Sequence, residues 1–371
     1  MATRLLNTRD TYVSDGFYYL LVAYGVLSVA FSGEFYRFQV GMVSPSEIIL
    51  LISFLIFFVY KDLYRIVGEG FYLMVALWGG WLFISLVSEG RENYFVFRQC
   101  MSVPYLMFAP LLLIALNVKD KRPGSIEYSL FCLAVVLGIS LDYGHMDVAI
   151  PLLLWLLFLT ESVGLIAVLA ISIAFVFTGH ASHKLALVIY LSVRYLKYWV
   201  RYLPVVTMVA LIFVAYFVDY LYESGELTDV NAMWRYIYWA DMFEYMLTDF
   251  RWLSGVGYGI PYINPDFENF QLLFGQIESG KGDFQMYAVP PHNSFLVLFY
   301  HLGIFGFIAG VVVWFSPIVK AVKMLHFNAI GALLGVLFIM LTHNAMELPY
   351  TAIYCSAVLA SAIRELGGKI G

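Results

Sequence analysis

The sequence predicts an all-α polytopic membrane protein of about twelve transmembrane helices with one long extracytoplasmic loop. Three observations carry that prediction. Of 371 residues, 62% are apolar and only 13% are charged, against roughly 25% charged in a soluble domain. The mean hydropathy is +0.81. The apolar residues also arrive in blocks of helix-spanning length, neither alternating as strands do nor striped as surface helices are.

The blocks place candidate spans at 17–32, 45–60, 70–88, 100–117, 126–141, 148–160, 162–178, 185–199, 203–219, 293–315, 327–343 and 349–363. Several fall short of the ~20 residues of a perpendicular span. The pair at 148–160 and 162–178 is parted only by Glu161, as a tight hairpin or one broken helix would be. Asp10 and Asp15 interrupt the N-terminal stretch, so no cleavable signal peptide is expected. Basic residues set the orientation. Arg4, Arg9, Lys61, Arg65, Lys119, Lys121, Arg122, Arg194, Lys197, Arg201, Lys320, Lys323, Arg364 and Lys369 fall on one side. The positive-inside rule makes that side cytoplasmic and puts both termini there.

The other side receives one long segment, 220–292, and loops of that length are usually functional. Three regions follow: membrane helices over 1–219, the loop over 220–292, and membrane helices over 293–371. Cys100, Cys132 and Cys355 all lie in or at the ends of apolar blocks, so neither a disulfide framework nor a cysteine metal site is expected.

Inside the loop, 231–250 reads as a helix with an N-cap at Asp229 or Asn231. Trp239, Met242 and Met246 stack on one face, with Asp241, Glu244 and Thr248 opposite. Arg235 falls within the apolar stripe, where a cation must snorkel, find a carboxylate or meet an anionic ligand. Next comes "SGVGYGIPY", residues 254–262, whose alternate glycines Gly255, Gly257 and Gly259 allow a sharp turn. No strand precedes it and the spacing is not that of a nucleotide fingerprint, so by itself it reads as a turn. The loop ends in "VPPHNSFLVLF", residues 289–299. The prolines suit the approach to a helix start, and Asn293 or Ser294 can cap it. That leaves His292 at a helix N-terminus, a place that favours an anion and suits proton exchange.

Two further clusters combine histidine with acidic or amide side chains. Asp142, His145 and Asp147 read as solvated turn residues rather than a metal site. His343, Asn344 and Glu347 end a late span and are a weak candidate. Arg37, Arg91, Arg98, Lys184, Arg235, Arg251 and Lys281 are the cations available on the outer side, and Arg98 is singled out because it lies just before a span.

The order of Arg235 and Trp239, then "LSGVGYG", then "PHNSFLVLFYHLGIFGFIAG" with Gly303 and Gly306, resembles the O-antigen polymerase and O-antigen ligase superfamily over roughly residues 160–320. The resemblance implies a metal-independent, cofactor-free glycosyltransferase of the membrane (C-type) class in the bacterial inner membrane, with its site on the periplasmic face. It implies an undecaprenyl-diphosphate-linked glycan as donor and acceptor, the bilayer and a chain-length regulator as partners, and no nucleic acid. Arg235 would hold the donor diphosphate and His292 would assist the acceptor hydroxyl. Asn293 matches that histidine's neighbour and Gly255, Gly257 and Gly259 match the family's turn, which adds them to the substrate-site candidates; Arg98 is a candidate by its position alone, outside the matched stretch. One departure stands out: where the family has a Ser-Arg pair this chain reads Ser182, His183, Lys184. Lysine offers a point charge in place of a bidentate fork.

The topology agrees on its own terms. Outside the cytoplasm no ATP drives synthesis, so the donor must carry its own leaving group, and cations with a nearby base would suffice. Polymerase is preferred over ligase. A secondary transporter or glycan flippase is the other class, but the halves show no hydropathy repeat and few charges lie within spans.

Overall fold

The computed structural model describes residues 2–31, 69–101, 122–141, 148–160, 163–177, 181–195, 230–275, 290–342 and 349–367, with a few single positions between them. The expected spans at 45–60 and 203–219, most of 100–117, the Asp142–Asp147 and His343–Glu347 clusters, and Arg37 and Lys281 lie outside the described residues. Every described element is helical: α1 (Ala2–Ala30), α2 (Glu69–Val87), α3 (Asn93–Cys100), α4 (Ser125–Ser140), α5 (Ala149–Leu159), α6 (Leu165–Phe177), α7 (Ala181–Tyr195), α8 (Val230–Leu247), α9 (Arg251–Ser254), α10 (Phe270–Gly275), α11 (Ser294–Lys323), α12 (Phe327–Thr342) and α13 (Pro349–Gly367). The all-α prediction holds for this part of the chain. Helix α8 begins at Val230, so that Asn231, one of the two expected caps, lies inside it while Asp229 lies outside the described residues, and α5 and α6 are separate helices.

Helix α5 lies at the centre, with Ala149 to Phe158 buried on every side. Its Trp155 ring meets Tyr18 of α1 at 5.6 Å and Tyr354 of α13 at 6.1 Å, and its indole N–H donates to Ser361. Helices α7 and α12 pack more closely than ordinary side chains allow. A Cβ on Gly331 would come within 2.9 Å of the Tyr190 carbonyl, and one on Gly335 within 2.9 Å of the Ala186 carbonyl. This small-xxx-small spacing is the device by which helices associate in lipid, where apolar burial between helices gives little drive.

Polar ties cluster at one end of the bundle. Arg194 donates to the Leu157 and Thr160 carbonyls at the C-terminus of α5, which satisfies acceptors a helix end leaves open. Asn328 joins the Phe158 carbonyl and the Tyr190 hydroxyl. His326 and Glu365 approach to 2.9 Å. The ends of α5, α7 and α13 and the start of α12 therefore meet at the end where Lys320 and Lys323 close α11. The structure thus gathers several of the basic residues that the sequence assigns to a single side.

Many large apolar side chains are exposed on the helices. Phe305, Ile308, Val312, Phe315 and Val319 recur along one face of α11 and are all exposed, as are Ile126, Leu130 and Leu133 of α4 and Leu165, Val168 and Leu169 of α6. Contiguous apolar surface on this scale marks contact with lipid. Among the described residues α11 is the one helix both long and apolar enough to cross a membrane by length and composition; shorter apolar helices include α4, α5, α6 and α12.

Helix α11 is not straight. Gly303 breaks it with φ +66° and ψ −161°. The two halves fold back toward each other: the Leu298 side chain reaches Gly310, and the Phe299 and Phe307 rings lie 6.2 Å apart. A continuous helix would hold residues 298 and 310 about 18 Å apart at 1.5 Å per residue. The sequence expects a span starting at 293. Instead, 294–302 is a short, wholly buried helix, and 304–323 is the length of apolar helix that suits a bilayer. The glycine wins because no side-chain-bearing residue adopts that backbone readily.

The short helix joins two cores. Phe295, Leu298 and Leu302 belong to the bundle. Leu296, Val297, Phe299 and Tyr300 belong to a second core with Ile237, Tyr238, Met242 and Met246 of α8 and Tyr262, Ile263, Phe267 and Leu273 of the loop. The long loop thus has a hydrophobic centre of its own, completed by the start of α11.

Candidate functional site

Helix α8 buries two faces, where its sequence suggests one. Met242 and Met246 are fully buried, as the apolar stripe predicts. Asp241, placed on the opposite acidic face, is buried too, and its carboxylate accepts from the Asn269 backbone N–H at 3.0 Å and side-chain amide at 2.9 Å. The chain after α8 folds over that face, and a carboxylate with two donors answers the cost of burying it.

The N-terminal half of α8 meets the turn at His292. The Trp234 and His292 rings stand edge to face at 5.7 Å, and the Trp239 indole donates to the Pro291 carbonyl at 2.5 Å. At about 100° per residue Arg235 lies between Tyr238 and Trp239 around the helix. The half-buried arginine is thereby carried on the side of α8 that faces the Pro290–His292 turn. Burial holds the Tyr238 phenol beside Trp234 well above its ordinary pKa, so it stays neutral.

The turn is shaped by its prolines. The His292 N–H donates back to the Pro290 carbonyl at 2.9 Å, and His292 takes φ +53°, a region histidine enters more readily than most side chains do. Asn293 then caps α11, its amide oxygen accepting from the N–H groups of Phe295 and Leu296 at 3.1 Å each. The Val297 N–H goes to the Asn293 carbonyl at 3.1 Å. The N–H groups of Phe295, Leu296 and Val297 are therefore all satisfied within the chain. Asn293→Ala should lower the melting temperature by the equivalent of about 1–2 kcal/mol, with Asn293→Ser restoring most of it, measured in detergent.

The glycine turn is held from three sides. Gly255, Gly257 and Gly259 all have positive φ, as the alternate spacing suggests. The N–H of Val256 donates to Tyr300, that of Gly257 to His301, that of Tyr258 to the Ser85 hydroxyl and that of Gly259 to the Gln99 side chain. What these glycines do here is permit contact: a Cβ on Gly255 would come within 2.3 Å of the His301 carbonyl, and one on Gly257 within 2.7 Å of the Trp81 ring.

Three residues that make this geometry were not chosen from sequence. Arg91 donates to the carbonyls of Tyr258 at 2.7 Å and Val256 at 3.1 Å and to the Ser85 hydroxyl at 2.9 Å. Its burial lowers its pKa. Gln99 spans the Gly259 N–H and the Ile260 carbonyl. His301 is buried with one ring nitrogen 2.6 Å from the Gly257 carbonyl and the other 3.0 Å from the Tyr262 hydroxyl. A usable signal existed for His301, since an imidazole inside an apolar run must find polar partners. Nothing local separates Arg91 from Arg98. Arg98 is exposed in the last turn of α3, where a cation complements the helix dipole. His183 is buried and Lys184 half-buried in the first turn of α7, whose principal neighbours are α12 and α5.

The structure thus brings together His292, its cap Asn293 and the helix of Arg235, braced by a glycine turn that Arg91 and Gln99 hold. No curated protein and no solved structure matches the chain. Residues 148–311, a little under half of it, match the O-antigen ligase family, and that stretch contains both Arg235 and His292. The match makes that stretch similar to the O-antigen ligase and polymerase superfamily of surface-polysaccharide assembly.

Proposed function

We propose that the chain is a polysaccharide polymerase that transfers a growing glycan from undecaprenyl diphosphate to the terminal sugar of another lipid-linked repeat unit, at the periplasmic face of the inner membrane. The observation that carries this reading is the contact of Trp234 and Trp239 of α8 with the Pro291–His292 turn, which sets the helix of the arginine against the turn of the histidine. Arg235 binds the donor diphosphate and stabilises it as it leaves, because a guanidinium presents a planar fork to phosphate oxygens. His292 takes the proton of the acceptor hydroxyl as that oxygen attacks the anomeric carbon. The bond from that carbon to the diphosphate breaks, and undecaprenyl diphosphate departs with the charge. Lys184 and Arg98 are further candidates for substrate contact, and the fold class is a membrane-embedded, helical glycosyltransferase.

The test is reconstitution of purified protein with undecaprenyl-diphosphate-linked repeat units and nothing else. Wild type should give a ladder of longer lipid-linked glycans, and Arg235→Ala and His292→Ala should each lose it by about 10²-fold or more. Transfer only when a lipopolysaccharide core is supplied would make the protein a ligase. Neither product from folded protein would remove the enzyme reading.

A further inference from the structure

We infer that the elbow between α8 and α9, residues 247–253, is set into the lipid bilayer instead of standing above it. The elbow turns its apolar residues outward: Leu247 is 68% and Phe250 74% exposed, and Trp252, Leu253 and Phe243 of α8 are exposed with them. The turn is made by two successive non-glycine residues with positive φ, Asp249 at +50° and Phe250 at +58°.

Two membrane helices fix its depth. The Ser254 carbonyl accepts from the Trp81 indole at 2.7 Å. Trp81 lies six residues before the end of α2, about 9 Å inside it at 1.5 Å per residue. Past that level Phe83, Ile84, Leu86 and Val87 are still exposed apolar residues. On the other side, the Leu253 carbonyl sits where a Cβ on Gly303 would approach to 2.4 Å. The exposed stripe of α11 begins two residues later, at Phe305. The apolar surface of the elbow is therefore continuous with surfaces that face lipid, and it lies at their level.

The charges are arranged to match. Glu244 and Asp249 are exposed, which places them at the headgroups. Arg251 is held back over the Tyr245 ring at 4.0 Å and pairs with Asp249 at 3.3 Å. Trp252 suits the boundary between hydrocarbon and water. The occupant of this face is bilayer lipid, in the manner of an interfacial helix. Because α9 leads directly into the glycine turn, immersion of the elbow sets the height of the loop core above the bilayer. The inference rests on the membrane surface alone and stands whether or not the site transfers glycans.

Nitroxide labels placed singly at 244, 250 and 253 test it, in full-length protein with its three cysteines replaced by alanine and reconstituted in phospholipid vesicles. Labels at 250 and 253 should meet dissolved oxygen more than a water-soluble nickel chelate, and the label at 244 the reverse. Nickel-dominated contact at 250 and 253 would overturn the inference, and so would dipolar broadening between labels, which would place a second copy of the chain on the face. If the cysteine-free protein does not fold, brominated lipids applied to wild type and Trp252→Phe give the same answer. Equal quenching of the two would place Trp252 outside the bilayer, whereas weaker quenching of the variant would support immersion.

Discussion

Gly303→Ala is expected to cost the protein most of its stability, by about 3–5 kcal/mol, and Gly255→Ala to do nearly the same. Two effects add at each position. Gly303 has φ +66° with ψ −161°, and Gly255 has φ +76°; a side chain held in such backbone costs about 1–3 kcal/mol. The added carbon would also meet backbone, the Leu253 carbonyl at 2.4 Å from position 303 and the His301 carbonyl at 2.3 Å from position 255. Side chains can rotate away from an intruder, but main chain held by hydrogen bonds cannot, and overpacking of this kind adds about 1–3 kcal/mol. Each glycine presses on the backbone beside the other, so the pair acts as one joint between the loop core and the bend of α11. Gly79→Ala is the control, because nothing lies within 4 Å of its added carbon. Melting temperature and monodisperse yield in detergent measure all three. An unchanged melt for Gly303→Ala would mean that the bend is not needed for the fold.

Arg91→Ala should destabilise the glycine turn by about 2–3 kcal/mol, because it strands carbonyl acceptors while water reaches part of the gap. The Tyr258 and Val256 carbonyls both lose their guanidinium donor, and Ser85 loses one of its two partners. Arg91→Lys should recover only part of this, since one ammonium does not reproduce a planar fork reaching three oxygens. Arg98→Ala, at an exposed helix end, should stay within about 0.5 kcal/mol of wild type. The same melting assay ranks the three variants. A loss at Arg98 equal to that at Arg91 would show that the clamp has been assigned to the wrong cation.

Most helices were legible because the blocks are long and apolar. Those expected at 126–141, 148–160, 162–178 and 327–343 appear within a few residues as α4, α5, α6 and α12. The α8 helix was legible from its periodicity and the capping of α11 from its residue types. The course of 293–315 was not, because hydropathy reports apolar content and is blind to a reversal of direction at one glycine. The second buried face of α8 was hidden for a related reason: the chain that covers Asp241 comes from 28 residues further along.

The sequence by itself determined the helical class and the apolar blocks from which the helices are built. Those properties are written in composition and short-range spacing, which survive without tertiary contacts. Only the tertiary structure decided that α8 docks on the Pro290–His292 turn, that Arg91 and not Arg98 holds the glycine turn, and that His301 ties it to the bend. Each of those contacts closes a loop of tens to well over a hundred residues, and no local pattern specifies which of several equivalent cations or carbonyls will meet when it closes.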